Sequence, residues 1–279
     1  LTYNNMKHLF ITCILVGSLF ATGQVITPED DGLTPKRELH AANARVVPYS
    51  FIRQDDIMWS TRQWERIQVQ EKLNHPLYYP VKALPDRKSL FDVLKDAIMT
   101  EGTISEVFVD DRFEMPLTTQ EVADILFRVD TILDPDDPSV ILGIDSIEIK
   151  SPDLRYWEIK SDWYFDKKRG EMKNRILGIS PVVEDPSTRE IYPTFWIWFP
   201  DARQAMSAHV AYNPSNNTRR MTFDQIFQMR YFNAVVYKEN NVYDRGIKDY
   251  KNGRPLDQLL ESRRIREELR NYEHDLWQF

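Results

Sequence analysis

The apolar positions of this chain change their spacing three times. From Leu9 to Phe20 they run unbroken and without a charge. From Gln24 to Ser50 they show almost no period, and Pro28, Pro35, Pro48 and an Asp30-Asp31-Gly32 turn interrupt them. From Asp55 to Val129 they recur every three or four residues, which predicts helices. The first would be capped by Asp55 or Asp56 and run to about Leu73, with Trp64 and Ile67 near its middle and Asn74-His75-Pro76 ending it. Leu77-Tyr78-Tyr79-Pro80 would be an extended aromatic link. A second helix opens at Ser89, with Asp92 three residues on as in a capping box. Its stripe is Leu90, Val93, Leu94, Ala97 and Ile98, and Gly102 is placed to close it. Thr103 to Phe113 would be a strand. Thr118 and Glu121 would cap a third helix with Val122, Ile125, Leu126 and Val129 on one face.

Asp134-Pro135-Asp136-Asp137-Pro138 is a turn cluster and marks a candidate internal boundary near 134–139. Beyond it the period is two. Trp157, Ile159, Ser161, Trp163 and Phe165 alternate with Tyr156, Glu158, Lys160, Asp162 and Tyr164, which predicts a strand with one buried face. Asp166 to Gly170 would turn it back into a strand over Arg175 to Val183. Phe195 to Phe199 is aromatic on both faces, as a central strand would be. Helices follow at Asp201 to Tyr212 and Thr222 to Met229, a strand at Asn233 to Tyr237, and a charged helix from about Pro255 to Trp277. The expected fold is α+β: N-terminal helices packed with a hairpin-rich antiparallel sheet and a C-terminal charged helix, as a single domain over 54–279.

The N-terminal pattern bears on location. Met6-Lys7-His8, the apolar run and Ala21-Thr22-Gly23 have the layout of a secretory signal peptide over residues 1–23, with Leu1 to Asn5 an over-called stretch before Met6. The run is about 12 residues, against the roughly 20 that span a bilayer. No second long apolar run exists, so no direct membrane span is expected. Residues 24–53 would then be an N-terminal arm, either extended or a disordered leader. Cys13, the only cysteine, leaves with the leader, so disulfides and cysteine-based zinc sites are not expected. The formal charge is −7, and losing Lys7 makes it −8, which argues against a nucleic-acid partner.

Few residues suggest chemistry. His40, His75, His209 and His274 are scattered, and Asp134, Asp136 and Asp137 lack the glycine and distal glutamate of a calcium loop. Glu158 and Asp162 on one strand face would lie roughly 13 Å apart, beyond the about 5 to 9.5 Å of glycosidase carboxylate pairs. No nucleophile elbow or phosphate loop is present. Cofactors and metals are therefore not expected, nor is an enzyme. Aromatic residues are abundant: seven Trp, 13 Tyr and 14 Phe. Trp196 and Trp198 on one strand face could form a sugar-stacking platform; core packing or protein interfaces are the alternative use. As interface candidates the sequence offers Trp59, Trp64, Tyr78 and Tyr79, and on the last helix Leu269, Tyr272, Leu276 and Trp277. Ile265, Leu269, Tyr272 and Leu276 repeat at 4-3-4 spacing, so this helix either packs back on the domain or docks on another subunit. Asp130-Thr131-Ile132 and Asp145-Ser146-Ile147 fit a short bacterial O-glycosylation triplet.

DDIMWSTRQWERIQVQEKLNHPLYYP (Asp55 to Pro80), RKSLFDVLKDAI (Arg87 to Ile98), IYPTFWIWFPDAR (Ile191 to Arg203) and ESRRIREELRNYEHDLW (Glu261 to Trp277) resemble, in that order, the GldN/PorN family. The resemblance implies a periplasmic part of the type IX secretion system, tied in some species to gliding motility. It implies a ring built with the GldK/PorK lipoprotein beneath the outer membrane, self-association within that ring, and contact with the periplasmic domain of the GldM/PorM motor. It carries over no catalytic residues. The alternative reading is a periplasmic peptidoglycan- or glycan-binding module.

Overall fold

The computed structural model describes residues 46–84, 87–133, 141–185, 189–213, 221–251 and 253–276. The expected leader, the arm up to residue 45, His40, the Asp134–Pro138 cluster and Trp277 lie outside them.

The segment expected as the first helix is a strand. Asp55 and Asp56 close one 3-10 turn (Gln54–Asp56), and the chain then extends as β1 (Ile57–Gln68). Trp64 and Ile67 fit a helix at i,i+3, but Trp59, Thr61, Gln63, Glu65 and Ile67 also alternate, and tryptophan, threonine and isoleucine suit a strand. The choice is made by distant partners. β1 is hydrogen-bonded to strands on both sides, one of them along nearly its full length. One helical turn, α1 (His75–Tyr78), replaces the expected extended link. Pro76 falls in its first turn, where the missing N–H costs nothing.

The caps behave as expected. Ser89 Oγ accepts from the Asp92 N–H at 3.1 Å and starts α2 (Leu90–Met99). Gly102, at φ +63°, takes the left-handed turn just beyond its end. The predicted strand over 103–113 shrinks to β2 (Val107–Phe108), because the backbone turns at Asp110–Phe113 before β3 (Pro116–Leu117). Thr118 and Glu121 form a reciprocal capping box for α3 (Thr119–Leu126). That helix stops at Leu126, and Val129 belongs instead to β4 (Phe127–Leu133). β4 pairs with β5 (Ile141–Glu148) in a separate two-stranded ribbon whose register sets Asp130 opposite Asp145.

The long hairpin follows: β6 (Leu154–Asp166) and β7 (Glu171–Glu184), joined through Gly170 at φ +67°. Then come β8 (Ile191–Pro193), β9 (Trp196–Trp198), α4 (Phe199–Ala208), α5 (Phe223–Gln228), β10 (Val235–Glu239), α6 (Ile247–Tyr250) and α7 (Pro255–Asp275). The main sheet is antiparallel, in the order β10-β1-β6-β7-β9-β2-β3, with β8 also pairing β7.

One sheet face carries Ile67, Trp157, Ile159 and Ile179 into a continuous core with Leu90 and Leu94 of α2, Phe199 and Met206 of α4, and Phe223 and Phe227 of α5. The opposite face of β6 was expected to be open, yet Glu158 and Lys160 are buried there. A second aromatic cluster of Trp64, Phe108 and Trp196, with Phe113, Trp198 and Tyr237 against it, covers them. Both sheet edges are blunted against stray pairing. The Ser262 hydroxyl of α7 accepts the Val236 N–H of β10 at 2.9 Å, and β3 is two residues long and begins with a proline.

Candidate assembly surfaces

The second sheet face is a ladder of cross-strand charge pairs. Arg62 on β1 grips Asp162 on β6 with two bonds of 2.6 and 2.9 Å. Two steps on, Trp64 faces Lys160, and four steps on, Arg66 meets Glu158 at 2.8 Å. The Tyr237 hydroxyl donates to the same Glu158 at 3.1 Å, and burial raises its pKa. Lys160 Nζ donates to the Asp111 carbonyl and lies 3.4 Å from its carboxylate; Trp64 Nε1 donates to that carboxylate at 2.8 Å. Burial pushes the Lys160 pKa down, against the pull of Asp111. Lys160 and Lys238 also sit 5.7 and 4.6 Å from the centroid of the Trp64 ring.

Glu158 and Asp162 are each matched to an arginine across the strands. His75 Nε2 lies 3.2 Å from the Gln70 carbonyl, and His274 is exposed. His209 is half-buried, and its pKa is lowered first by burial and then by Lys88. Among the described residues, no three His, Cys, Asp or Glu groups converge as metal ligands.

The sequence-derived interface residues fall into three groups. Trp64 is 6% exposed and belongs to the inner aromatic cluster. Trp59 and Tyr272 meet each other: their rings stack with centroids 4.6 Å apart and planes at 28°, so β1 and α7 are tied together there. Leu269 and Leu276 are half-buried, while Ile265 of the same stripe packs with Val236 and Ile247. The stripe therefore lies against the domain. Tyr78 packs on the core and Tyr79 is 38% exposed, their rings meeting edge-on at 5.1 Å. Trp196 is 5% exposed, and Trp198 packs edge-on against Phe113 at 5.0 Å, so this pair is no open platform.

Two surfaces escaped the sequence reading. Leu256, Leu259 and Leu260 lie exposed on the first turns of α7, at 59, 47 and 50%. Their i, i+3, i+4 spacing after Pro255 was the available signal. Leu259 also lines a groove of about 620 Å³ with Arg66, Tyr237, Lys238, Ile247 and Gln258. The second is the segment ending at Ser50, whose Tyr49 enters the domain between Arg175 and Arg203. Nothing local in the sequence pairs those residues; Pro48-Tyr49 in a poorly patterned arm was the only hint.

The sequence model of one family, described as gliding motility associated protein GldN, matches residues 52–278. The chain belongs to the GldN family. GldN proteins form a structural family associated with gliding motility and type IX secretion. The GldN match covers β1 through α7, including the exposed leucines and the arginines around Tyr49, and it begins immediately after Phe51, so the segment ending at Ser50 precedes it. No curated protein matches the chain. No helix among the described residues is long and apolar enough to cross a membrane.

Proposed function

We propose that this chain is a periplasmic structural component of the type IX secretion system. In this reading it forms a ring with the GldK/PorK lipoprotein beneath the outer membrane and couples that ring to the periplasmic domain of the GldM/PorM motor, supporting secretion and gliding. The match to GldN over residues 52–278 carries the reading. Three features support it. The N-terminal 23 residues have the pattern of an export signal. The charged ladder is satisfied internally, so it serves rigidity rather than turnover. The exposed leucines of α7 leave apolar surface for a neighbour. A ring requires head-to-tail contacts that close by rotation, so two different faces of each copy must be engaged. In this reading the lipoprotein supplies the attachment to the outer membrane.

The test is co-purification from the native envelope with a tagged chain. GldK/PorK and GldM/PorM should be recovered together, and Leu256→Ser/Leu260→Ser should reduce that recovery while the melting temperature holds. Recovery of the tagged chain without either protein would remove the reading. A peptidoglycan-binding role would instead show as retention on purified sacculi, and the buried Trp196 counts against it.

A further inference from the structure

The residues just before the family match are held by a site that lies inside it. Tyr49 enters with two guanidinium groups over its ring, Arg203 at 4.7 Å and Arg175 at 4.9 Å from the centroid. Gln228 Nε2 donates to the Tyr49 hydroxyl at 3.3 Å. The flanking backbone is read as well: Arg203 Nη1 donates to the Val47 carbonyl and Arg175 Nη2 to the Ser50 carbonyl, each at 2.8 Å. Arg169 Nη1 donates to the Ser50 hydroxyl at 3.3 Å. These groups come from the β6–β7 turn, β7, α4 and α5.

The site is braced from within the domain. Arg203 is 5% exposed and is held by Asp224 through bonds of 2.8 and 3.3 Å, contacts in which Tyr49 takes no part. Arg175 is held in the β6–β7 ladder, where it faces Asp162, and its buried Nε has no hydrogen-bond partner among the described residues. The occupant, in contrast, contributes two side chains, Tyr49 and the Ser50 hydroxyl. Val47 and Phe51 on either side are 77 and 89% exposed, and residues 46–53 pair with no described strand. A receptor holding a short extended ligand, joined to it through exposed Phe51, half-buried Ile52 and exposed Arg53, suits domain exchange, a low-cost route to dimers.

We infer that the Arg175–Arg203 clamp is a peptide-docking site for an extended segment bearing one tyrosine, and that a second copy of this chain can fill it with its own Val47–Ser50. The chemistry selects that occupant. Arg203 already has its charge met by Asp224, so it and Arg175 offer guanidinium planes to an aromatic ring, and the two carbonyl contacts want an extended backbone. Every copy carries both the site and its ligand. In an isolated copy the tether gives the resident segment a high effective concentration, so self-occupancy prevails. When copies are packed side by side, a neighbour's segment competes on equal terms. This inference rests on the ring reading only for its setting, since the exchange itself is a property of the chain alone.

The experiment uses two full-length variants. Tyr49→Ala leaves the clamp empty, and Arg175→Ala leaves the segment poorly held; thermal melts of each check that both are folded. A fluorescent peptide spanning Asn43 to Arg53 should bind the Tyr49→Ala chain at least tenfold more tightly than the wild type, and a peptide lacking the tyrosine should not. Mixing the two variants should give a one-to-one heterodimer by native mass spectrometry that neither forms alone and that the free peptide dissolves. Equal peptide binding to wild type and Tyr49→Ala would overturn the docking site. A mixture that stays monomeric would overturn the exchange, while leaving co-purification with the lipoprotein untouched.

Discussion

Phe113 is held at φ +59°, a backbone region that non-glycine residues visit at a cost, and its ring is pressed onto the sheet where Gly178 lacks a side chain. A methyl group at Gly178 would sit 2.4 Å from Phe113 Cζ. Gly178→Ala should therefore displace the ring and lower stability by about 1–3 kcal/mol, the usual range for an overpacked site. Urea unfolding measures this. In the double variant with Phe113→Ala the two losses should not add, since the glycine matters only while the ring is there; simple additivity would mean the contact is unimportant. Neither residue announced this role in the sequence, where Phe113 reads as the end of a strand. Pairs such as buried Glu65 with half-buried Arg230, 2.6 Å apart and 165 positions apart along the chain, were equally hidden, because pattern reading treats a charge as a surface mark. The caps at Ser89, Thr118 and Thr222 were legible because both partners lie within three residues of each other.

Elements followed the same division between local and distant causes. The hairpin β6–β7 could be read from alternation over ten residues and a charged turn. β1 was misread because its twelve residues fit either period and only pairing with β6 and β10 decides between them. For α7 the 4-3-4 stripe left packing and docking open, and the stacked Trp59–Tyr272 pair shows that it packs. A double-mutant cycle on Trp59→Ala and Tyr272→Ala should give a coupling of about 0.5–1.5 kcal/mol in the isolated chain, as aromatic pairs do; zero coupling would mean that the helix end is loose in solution. The β4–β5 ribbon is pinned by the Ile149 N–H to the Leu126 carbonyl at 2.9 Å and by Lys95, which pairs with Glu148 and lies 4.7 Å from the Phe127 ring centroid. The hydrogen bond from Lys95 holds the Glu148 carboxyl below its usual range, with Lys150 adding to the effect. A depressed carboxylate stabilises the fold above its unfolded-state pKa, and that contribution disappears as pH falls through the folded value. Glu148→Gln should therefore speed amide exchange in the ribbon at neutral pH and make no difference well below pH ~4. Equal exchange in both proteins at neutral pH would show that the ion pair does not anchor the ribbon.

At the scale of the whole molecule, the chain combines a sheet cross-tied by charge pairs with exposed leucines on α7 and a clamp that its own Tyr49 fills. The ladder of Arg62, Arg66 and Lys160 with their acids locks strands together. The exposed leucines of α7 and the Tyr49 clamp are the places where another copy or another protein has something to hold, and they lie on different elements, as head-to-tail closure demands. Membership of the GldN family supplies the setting, and the proposed ring supplies the reason for those surfaces. The most direct measurement is the solution mass of Gln24 to Phe279 by light scattering, alone and co-expressed with the proposed GldK/PorK lipoprotein. A small species alone and a very large, closed assembly with the lipoprotein is the predicted result. A small species in both preparations would contradict the ring.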